Sequence, residues 1–165
     1  MMTMAEINAM SAQGFIEAFG DVAEHSPWFA EQAFAAKPFA SRAELLRSFA
    51  EVLRRADKLT QLELLRAHPD LATKAKLTSD STREQAGAGL ADLTQEEFIR
   101  FNALNTRYRK KFGFPFIFAV RGATKHQIID SFESRISNAK ATEFEMALQQ
   151  IRRIFSFRIE DRVQP

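Results

Sequence analysis

The sequence predicts an all-α fold: a single-domain, compact helical bundle with one long functional loop. Apolar residues recur at helical spacing along nearly the whole chain, and most of these runs begin with a residue that caps helices. The 165 residues with 45% hydrophobic content suit one domain over 1–165 with its own core. Sixteen phenylalanines predict that aromatic rings fill much of this core.

Serine and threonine side chains mark the predicted helix starts, because their oxygens accept hydrogen bonds from the first free amides of a helix. Glutamate follows Ser41 and Thr94 at the third position, which is the capping-box pattern. At another start, proline follows the serine at the first helical position, where its fixed φ is favourable. The six predicted starts are Ser26, Ser41, Thr60, Thr94, Thr124 and Thr142.

Two helix ends are predicted by proline and glycine. Pro69 disfavours helical geometry in the residue before it, so the helix from Thr60 must end near His68. Gly113 is the predicted C-terminal cap of the helix from Thr94. The segment 112–122, FGFPFIFAVRG, is aromatic and lacks a helical period, so we expect a buried loop there.

The long connection between Pro69 and Thr94 is the predicted functional loop. It has weak apolar periodicity, many small residues and two glycines. Long irregular stretches in compact domains are often functional, so a site is predicted in this segment.

Composition and charge limit the classes of function. With 23 Lys and Arg against 21 Asp and Glu, the net charge is only +2, which favours neither nucleic acid nor a membrane surface as partner. The absence of cysteine excludes disulfides and thiolate chemistry. The N-terminal sequence is not typical of a signal peptide, and no apolar run is long enough to span a membrane, so a cytoplasmic protein is expected.

The basic cluster at 107–111, RYRKK, is the one feature that suggests nucleic acid. It falls in the last turn of a predicted helix, where cations interact favourably with the helix dipole. We interpret it as a solvated helix end.

Acid–base side chains remain as candidates, because no metal, dinucleotide, P-loop or serine-nucleophile motif is present. His68 lies at a helix end and could exchange a proton near neutral pH, although many such histidines are structural. Glu84 has capping-box spacing from Ser81, which indicates a helix start that could also bind an anionic or amide-rich ligand. Arg158 lies on the apolar face of the last helix, where it needs an internal carboxylate or a ligand carboxylate.

Three segments together resemble the OHCU (2-oxo-4-hydroxy-4-carboxy-5-ureidoimidazoline) decarboxylase family: HPDLA from His68, STREQAGAGL from Ser81 and KFGFPFIFAVRG from Lys111. Their order and spacing match the family over nearly the whole chain. The resemblance implies a cofactor-free, metal-free lyase of bacterial urate breakdown that converts OHCU into (S)-allantoin. It leaves a homodimer open.

The same resemblance implies the site residues. His68 is expected to be the catalytic proton donor, and Glu84 the catalytic residue that orients it or the substrate hydroxyl. Arg121, Arg153 or Arg162 could contact the substrate in place of Arg158. The implied substrate contacts are Pro69, Ser81, Gln85, Phe116, Ile117, Phe118, Ala119, Val120 and Arg158.

The alternative from another class is a non-enzymatic helical interaction module. In that interpretation His68 and the STREQ segment are structural caps, and the aromatic segment is core or a partner surface. Substitution of His68 would then change no reaction rate.

Overall fold

Every regular element in the part of the chain that the structure describes is an α-helix. The computed structural model describes residues 1–73 and 78–165. Within those residues the helices are α1 Met4–Ala9, α2 Ala12–Phe19, α3 Trp28–Phe34, α4 Arg42–Arg55, α5 Lys58–Ala67, α6 Ser79–Gly87, α7 Gln95–Phe112, α8 Lys125–Arg135 and α9 Lys140–Arg162. The predicted all-α fold class is confirmed. None of these helices is long and apolar enough to cross a membrane.

Three of the predicted starts are confirmed by hydrogen bonds. The hydroxyls of Ser41, Thr94 and Thr124 each accept from the backbone amide three residues later. The stops are also confirmed: α5 ends at Ala67, before Pro69, and Gly113 caps α7 with a left-handed φ of 80°. Glycine suits that conformation because it has no Cβ to clash.

Three other predicted starts are wrong. The hydroxyl of Ser26 donates to the Glu24 carbonyl instead of capping, and α3 begins after Pro27. The helix expected from Thr60 begins at Lys58, because the Asp57 carboxylate accepts from the Thr60 amide. The last helix begins at Lys140, so Thr142 lies within its first turn.

The predicted long loop between Pro69 and Thr94 contains a helix, α6, and this is the main correction to the fold. The side chain of Thr78 accepts from the Ser81 amide, so Thr78 is the N-cap and Ser81 is the third helical residue. The capping-box interpretation of Ser81 with Glu84 is therefore wrong. Residues 74–77 of the predicted loop lie outside the described residues.

The chain divides into two compact units, each with an aromatic core. The first unit comprises Met1–Ala67 and Arg152–Pro165. Its buried rings lie 4.9–6.1 Å apart and come from Phe15, Phe19, Phe29, Phe49 and Phe155. The second unit comprises His68–Ile151. Its cluster surrounds Tyr108, with rings from Phe112, Phe114, Phe116 and Phe132. That residues 1–165 form one domain stays a prediction.

The α7 cap provides a test of this account of the helix starts. Thr94→Ala removes the hydroxyl that accepts from Glu97, so we expect the free energy of unfolding to fall by about 1 kcal/mol. Thr106→Ala is the matched control, because Thr106 is exposed within the same helix and alanine is a better helix former. Urea denaturation followed by circular dichroism measures both. Equal stability of the two variants would contradict the cap.

Candidate active site

Helix α6 buries polar side chains rather than apolar ones. Its buried residues are Asp80, Ser81 and Gln85, whereas α7 and α8 bury mainly aliphatic and aromatic residues. A buried polar group without a hydrogen bond costs about 1–3 kcal/mol in proteins. A helix with such a buried face is therefore more typical of a binding site than of a core.

The HPDLA segment is attached to α6 by a hydrogen bond from its backbone to a side chain of the helix. The Ala72 amide donates to Oε1 of Gln85 over 3.1 Å. Ala72 has a φ of 57°, which costs an alanine about 1–2 kcal/mol. Strained backbone of this kind persists where surrounding contacts maintain it, and it is frequent at functional sites.

Helix α7 supports the same segment from a second direction. Nδ2 of Asn105 donates to the Leu71 carbonyl over 3.0 Å, and Nε of Arg109 donates to the Asp70 carboxylate over 2.8 Å. Three consecutive residues, Asp70 to Ala72, are thus bonded to side chains of two helices. This arrangement restricts the backbone directly after His68.

His68 is buried, with 5% of its surface exposed. It is the first residue after α5, and Pro69, which is half-buried, follows it. The helix ends before His68, as the sequence predicted. A histidine in this position can transfer protons in a site from which most water is excluded.

Glu84 lies near the end of the aromatic segment. Its Oε1 is 4.0 Å from Nη2 of Arg121, and the side chains are 12% and 34% exposed, respectively. This ion pair connects α6 to the aromatic segment at 112–122. With the bond between Gln85 and Ala72, it places parts of all three motifs beside α6.

The aromatic segment is a buried, non-helical stretch, as predicted. Phe116, Ile117, Ala119 and Val120 are at most 4% exposed, and Phe118 alone of these five is half-buried. The ring of Phe116 stacks on Phe132 with centroids 3.9 Å apart. The side chains of residues 116–120 therefore belong mainly to the core, and Phe118 is the one of these five with surface to offer a ligand.

A buried ion pair underlies this segment. The Arg135 guanidinium contacts the Glu143 carboxylate at 2.5 Å, and the two side chains are 8% and 0% exposed. The same carboxylate accepts from the hydroxyl of Tyr108 at 2.7 Å and from the amide of Asn138 at 3.0 Å. Burial, together with this bond to Glu143, raises the pKa of Tyr108, so the phenol stays protonated and remains a donor.

Comparisons with known proteins identify a family to which the chain is similar over most of its length. The family model described as OHCU decarboxylase matches residues 8–160. A 2-oxo-4-hydroxy-4-carboxy-5-ureidoimidazoline decarboxylase of Haloferax volcanii is 38% identical over 98% of this chain and 96% of its own length.

The chain belongs to the OHCU decarboxylase family.

Two further similarities come from longer chains. The uric acid degradation bifunctional protein PucL of Bacillus subtilis is 43% identical over 161 residues, which are 98% of this chain and 33% of that protein. A crystal structure of (S)-allantoin synthase has a TM-score of 0.77 and 30% identity, and the match covers 98% of this chain and 54% of that one. The chain thus spans about a third of the length of the bifunctional relative.

Membership confirms the family that the motifs indicated and, at the level of the family, the decarboxylation of OHCU. The roles of single residues are a separate matter. His68, Pro69, Ser81, Glu84, Gln85 and residues 116–120 all lie in the second unit.

Arg158 lies in the first unit, where it pairs with an acidic side chain. Its Nη2 is 3.3 Å from Oε1 of Glu24, and its Nη1 donates to the Val22 carbonyl at 3.1 Å. Both members of the ion pair are at most 2% exposed. The internal carboxylate considered for this arginine is therefore present, and its contact with substrate stays a prediction.

The other arginines considered for that role have different surroundings. Arg162 pairs with Asp21 at 2.6 Å, and Arg153 lies over the ring of Phe157 at 5.9 Å. Arg121, by contrast, belongs to the second unit and lies beside Glu84.

The basic cluster at 107–111 contributes to a groove that is distinct from the candidate site. Arg107, Lys110 and Lys111 line an open groove of about 530 Å³ with Ile136 and Ser137. None of the predicted site residues lines this groove. In residues 1–73 and 78–165, no group of three or more histidine or acidic side chains is arranged to hold a metal ion.

Several polar residues of this family member were not singled out from the sequence. Asn105 and Tyr108 occupy the apolar face of α7, and Arg135, Glu143 and Gln150 are buried on α8 and α9. A polar residue at an apolar helical position is the signal that identifies such a group, and Asn105 carried it. The others sit at positions whose burial depends on tertiary contacts.

The ion pair of Arg158 can be tested by a double-mutant cycle. Arg158→Met leaves the buried Glu24 carboxylate without the guanidinium, so we expect a loss of about 3–5 kcal/mol in the free energy of unfolding. Adding Glu24→Leu should recover part of that loss. Arg152→Met, exposed on the same helix, is the control. Wild-type stability in Arg158→Met, measured by urea denaturation, would contradict a structural pair.

Proposed function

We propose that this chain decarboxylates OHCU to (S)-allantoin at a site built from its three motif segments. The observation that supports it most is their convergence on α6. Ala72 of the first motif bonds to Gln85, and Glu84 lies 4.0 Å from Arg121 of the third motif. Ala72 and Arg121, 49 positions apart in the sequence, thus both contact one helix with a polar buried face.

The substrate supplies its own electron sink, which is why acid–base side chains suffice. The carboxylate of OHCU is on the ring carbon that bears the hydroxyl, beside a C=N bond. When the carbon–carboxylate bond breaks, CO2 leaves and its electron pair forms a carbon–carbon double bond, while the C=N electrons move to nitrogen, which takes a proton. The resulting enol loses its hydroxyl proton, and the hydroxyl-bearing carbon becomes the carbonyl of allantoin. The neighbouring ring carbon, formerly part of the C=N bond, gains a proton. The net change is loss of CO2 and uptake of one proton.

In this mechanism His68 donates the proton that the ring carbon gains. Delivery to one face of the ring carbon determines the (S) configuration, so the donor must have a fixed position. His68 meets that requirement because it is buried and the backbone after it is bonded to α6 and α7. Acid–base assistance of this kind contributes about 10²–10⁴-fold in rate.

Glu84 orients His68 or the substrate hydroxyl, and its neighbours on α6 bind the substrate's polar groups. Ser81 lies three residues before Glu84 and Gln85 directly follows it, so all three belong to consecutive turns of one helix. Gln85 already uses Oε1 for the Ala72 amide, which leaves its NH2 group as the donor for a ureido carbonyl. Pro69 shapes the adjoining wall.

The segment 116–120 forms the opposite wall. Since four of its five side chains are buried, it contributes mainly backbone groups, with Phe118 as the apolar surface. An apolar wall disfavours the charged carboxylate relative to neutral CO2. Recognition of the substrate by Arg158 remains part of the proposal, with Arg121 as the competing arginine inside the second unit.

Two further expectations complete the proposal. We expect the enzyme to act in the bacterial cytoplasm without a cofactor, and we leave a homodimer as a state for light scattering to decide. The interaction-module alternative loses its main support, because the match to the decarboxylase family covers residues 8–160.

The direct test of the reaction is circular dichroism of OHCU generated in situ from urate. We expect the (S)-allantoin signal to grow far faster with this protein than without it. Decay at the spontaneous rate to a racemic product would refute the proposed function.

His68→Ala tests the proton donor in the same assay. We expect turnover to fall by about 10²–10⁴-fold, because the proton donor is lost. We expect little change in thermal unfolding. His126→Ala is the control, since His126 is exposed on α8. A His68 variant that is unstable but active would show that the histidine is structural.

Glu84→Gln keeps the shape of the side chain and removes its charge. We expect kcat to fall by at least about tenfold if the carboxylate orients the reacting groups. Glu96→Gln, exposed in the first turn of α7, is the matched control. Unchanged kinetics in the Glu84 variant would assign that residue a structural role.

A further inference from the structure

Two buried side chains bond to the aromatic segment on either side of Phe118. Nη1 of Arg135 donates to the Ile117 carbonyl at 2.7 Å, and Oε1 of Gln150 accepts from the Ala119 amide at 2.9 Å. Arg135 and Gln150 are 6% and 8% exposed and belong to different helices, α8 and α9. Neither belongs to the motifs by which the family was recognised.

These two bonds have a specific geometric consequence. The Ile117 carbonyl lies in the peptide plane before the Phe118 Cα, and the Ala119 amide lies in the plane after it. Because peptide units are planar, the only soft backbone angles between these planes are φ and ψ of Phe118. Fixing both planes therefore fixes the direction of the Phe118 Cα–Cβ bond.

Both side chains are themselves held in place. Arg135 is bonded to Glu143 through Nε at 2.6 Å, and its guanidinium lies 4.3 Å from the centre of the Phe116 ring. Glu143 in turn accepts from Tyr108. The Gln150 amide nitrogen faces the sulfur of Met146 at 3.8 Å, which directs its oxygen towards Ala119.

We infer that Arg135 and Gln150 are positioning residues that together set the direction of the Cα–Cβ bond of Phe118, the half-buried side chain among residues 116–120. The inference rests on the proposed function in one respect, that Phe118 forms the wall against which the substrate ring lies. Placement of reacting groups contributes to rate through orientation alone, so loss of either bond should weaken catalysis without touching the proton donor.

Gln150→Met tests this, because methionine has a similar length and offers the Ala119 amide only a weak sulfur acceptor in place of the oxygen. We expect hydrogen–deuterium exchange at 117–120 to accelerate by about tenfold, since the hydrogen bond is lost and the Ala119 amide is left without its oxygen acceptor. We expect kcat/KM for OHCU to fall by a similar factor with an unchanged pH profile. Gln149→Met is the matched control, because Gln149 is exposed one position earlier.

Conservative variants separate positioning from general stability. Gln150→Glu keeps an acceptor oxygen at the same distance and should restore slow exchange at 117–120. Should Gln150→Met fail to fold, Gln150→Asn, whose amide is one methylene shorter, carries the same expectation. Exchange and kinetics that match wild type in the variant lacking the acceptor would overturn the inference, as would acceleration spread evenly over the second unit.

The exchange measurement needs no substrate, so it distinguishes the two claims. If wild-type protein leaves OHCU to decay spontaneously, the proposed function fails while exchange at 117–120 still decides the positioning. If wild type is active and Gln150→Met changes neither readout, the positioning fails alone.

Discussion

The hydrogen bond from the Ala72 amide to Gln85 is the contact on which the candidate site depends. Pro69 ends the preceding helix, which releases His68 and the residues after it from helical geometry. Ala72 then adopts a φ of 57°, a conformation that an alanine reaches only at a cost. The bond to Gln85 offsets this cost and joins the turn to α6. The position of the catalytic histidine candidate therefore follows from a proline, a strained alanine and one glutamine.

The second unit contains polar groups used in two different ways. Those of α6 lie in a buried face that faces the motif segments, and we assign them to the substrate. Those around Glu143 bond to one another: Arg135, Tyr108 and Asn138 all donate to its carboxylate. A buried ion pair is weak evidence for stability by itself, because desolvation offsets much of the attraction. Its bond to the Ile117 carbonyl gives this pair a different purpose, the placement of backbone beside the site.

Much of the fold could be predicted from local signals. Ser41, Thr94, Thr124, Pro69 and Gly113 act through short-range sterics and hydrogen bonds, which a sequence displays directly. Helix α6 was predicted only as a start at Ser81, because SDSTREQAG has no apolar stripe, and periodicity identifies only helices that bury apolar faces. The candidate site residues were predicted from motifs, but the residues that support them were not: Gln150 and Arg135 act through contacts 31 and 18 positions away along the chain. Such pairings depend on tertiary packing, which no local pattern encodes.

The central claim is that three separated segments form one site. Backbone NMR of ¹⁵N-labelled protein, titrated with the product (S)-allantoin, tests it most directly. The account predicts that amides at 70–72, 81–85 and 116–120 shift together, with a common midpoint, while those lining the basic groove at 107–111 stay unchanged. Shifts in one segment alone, or shifts confined to the basic groove, would contradict it.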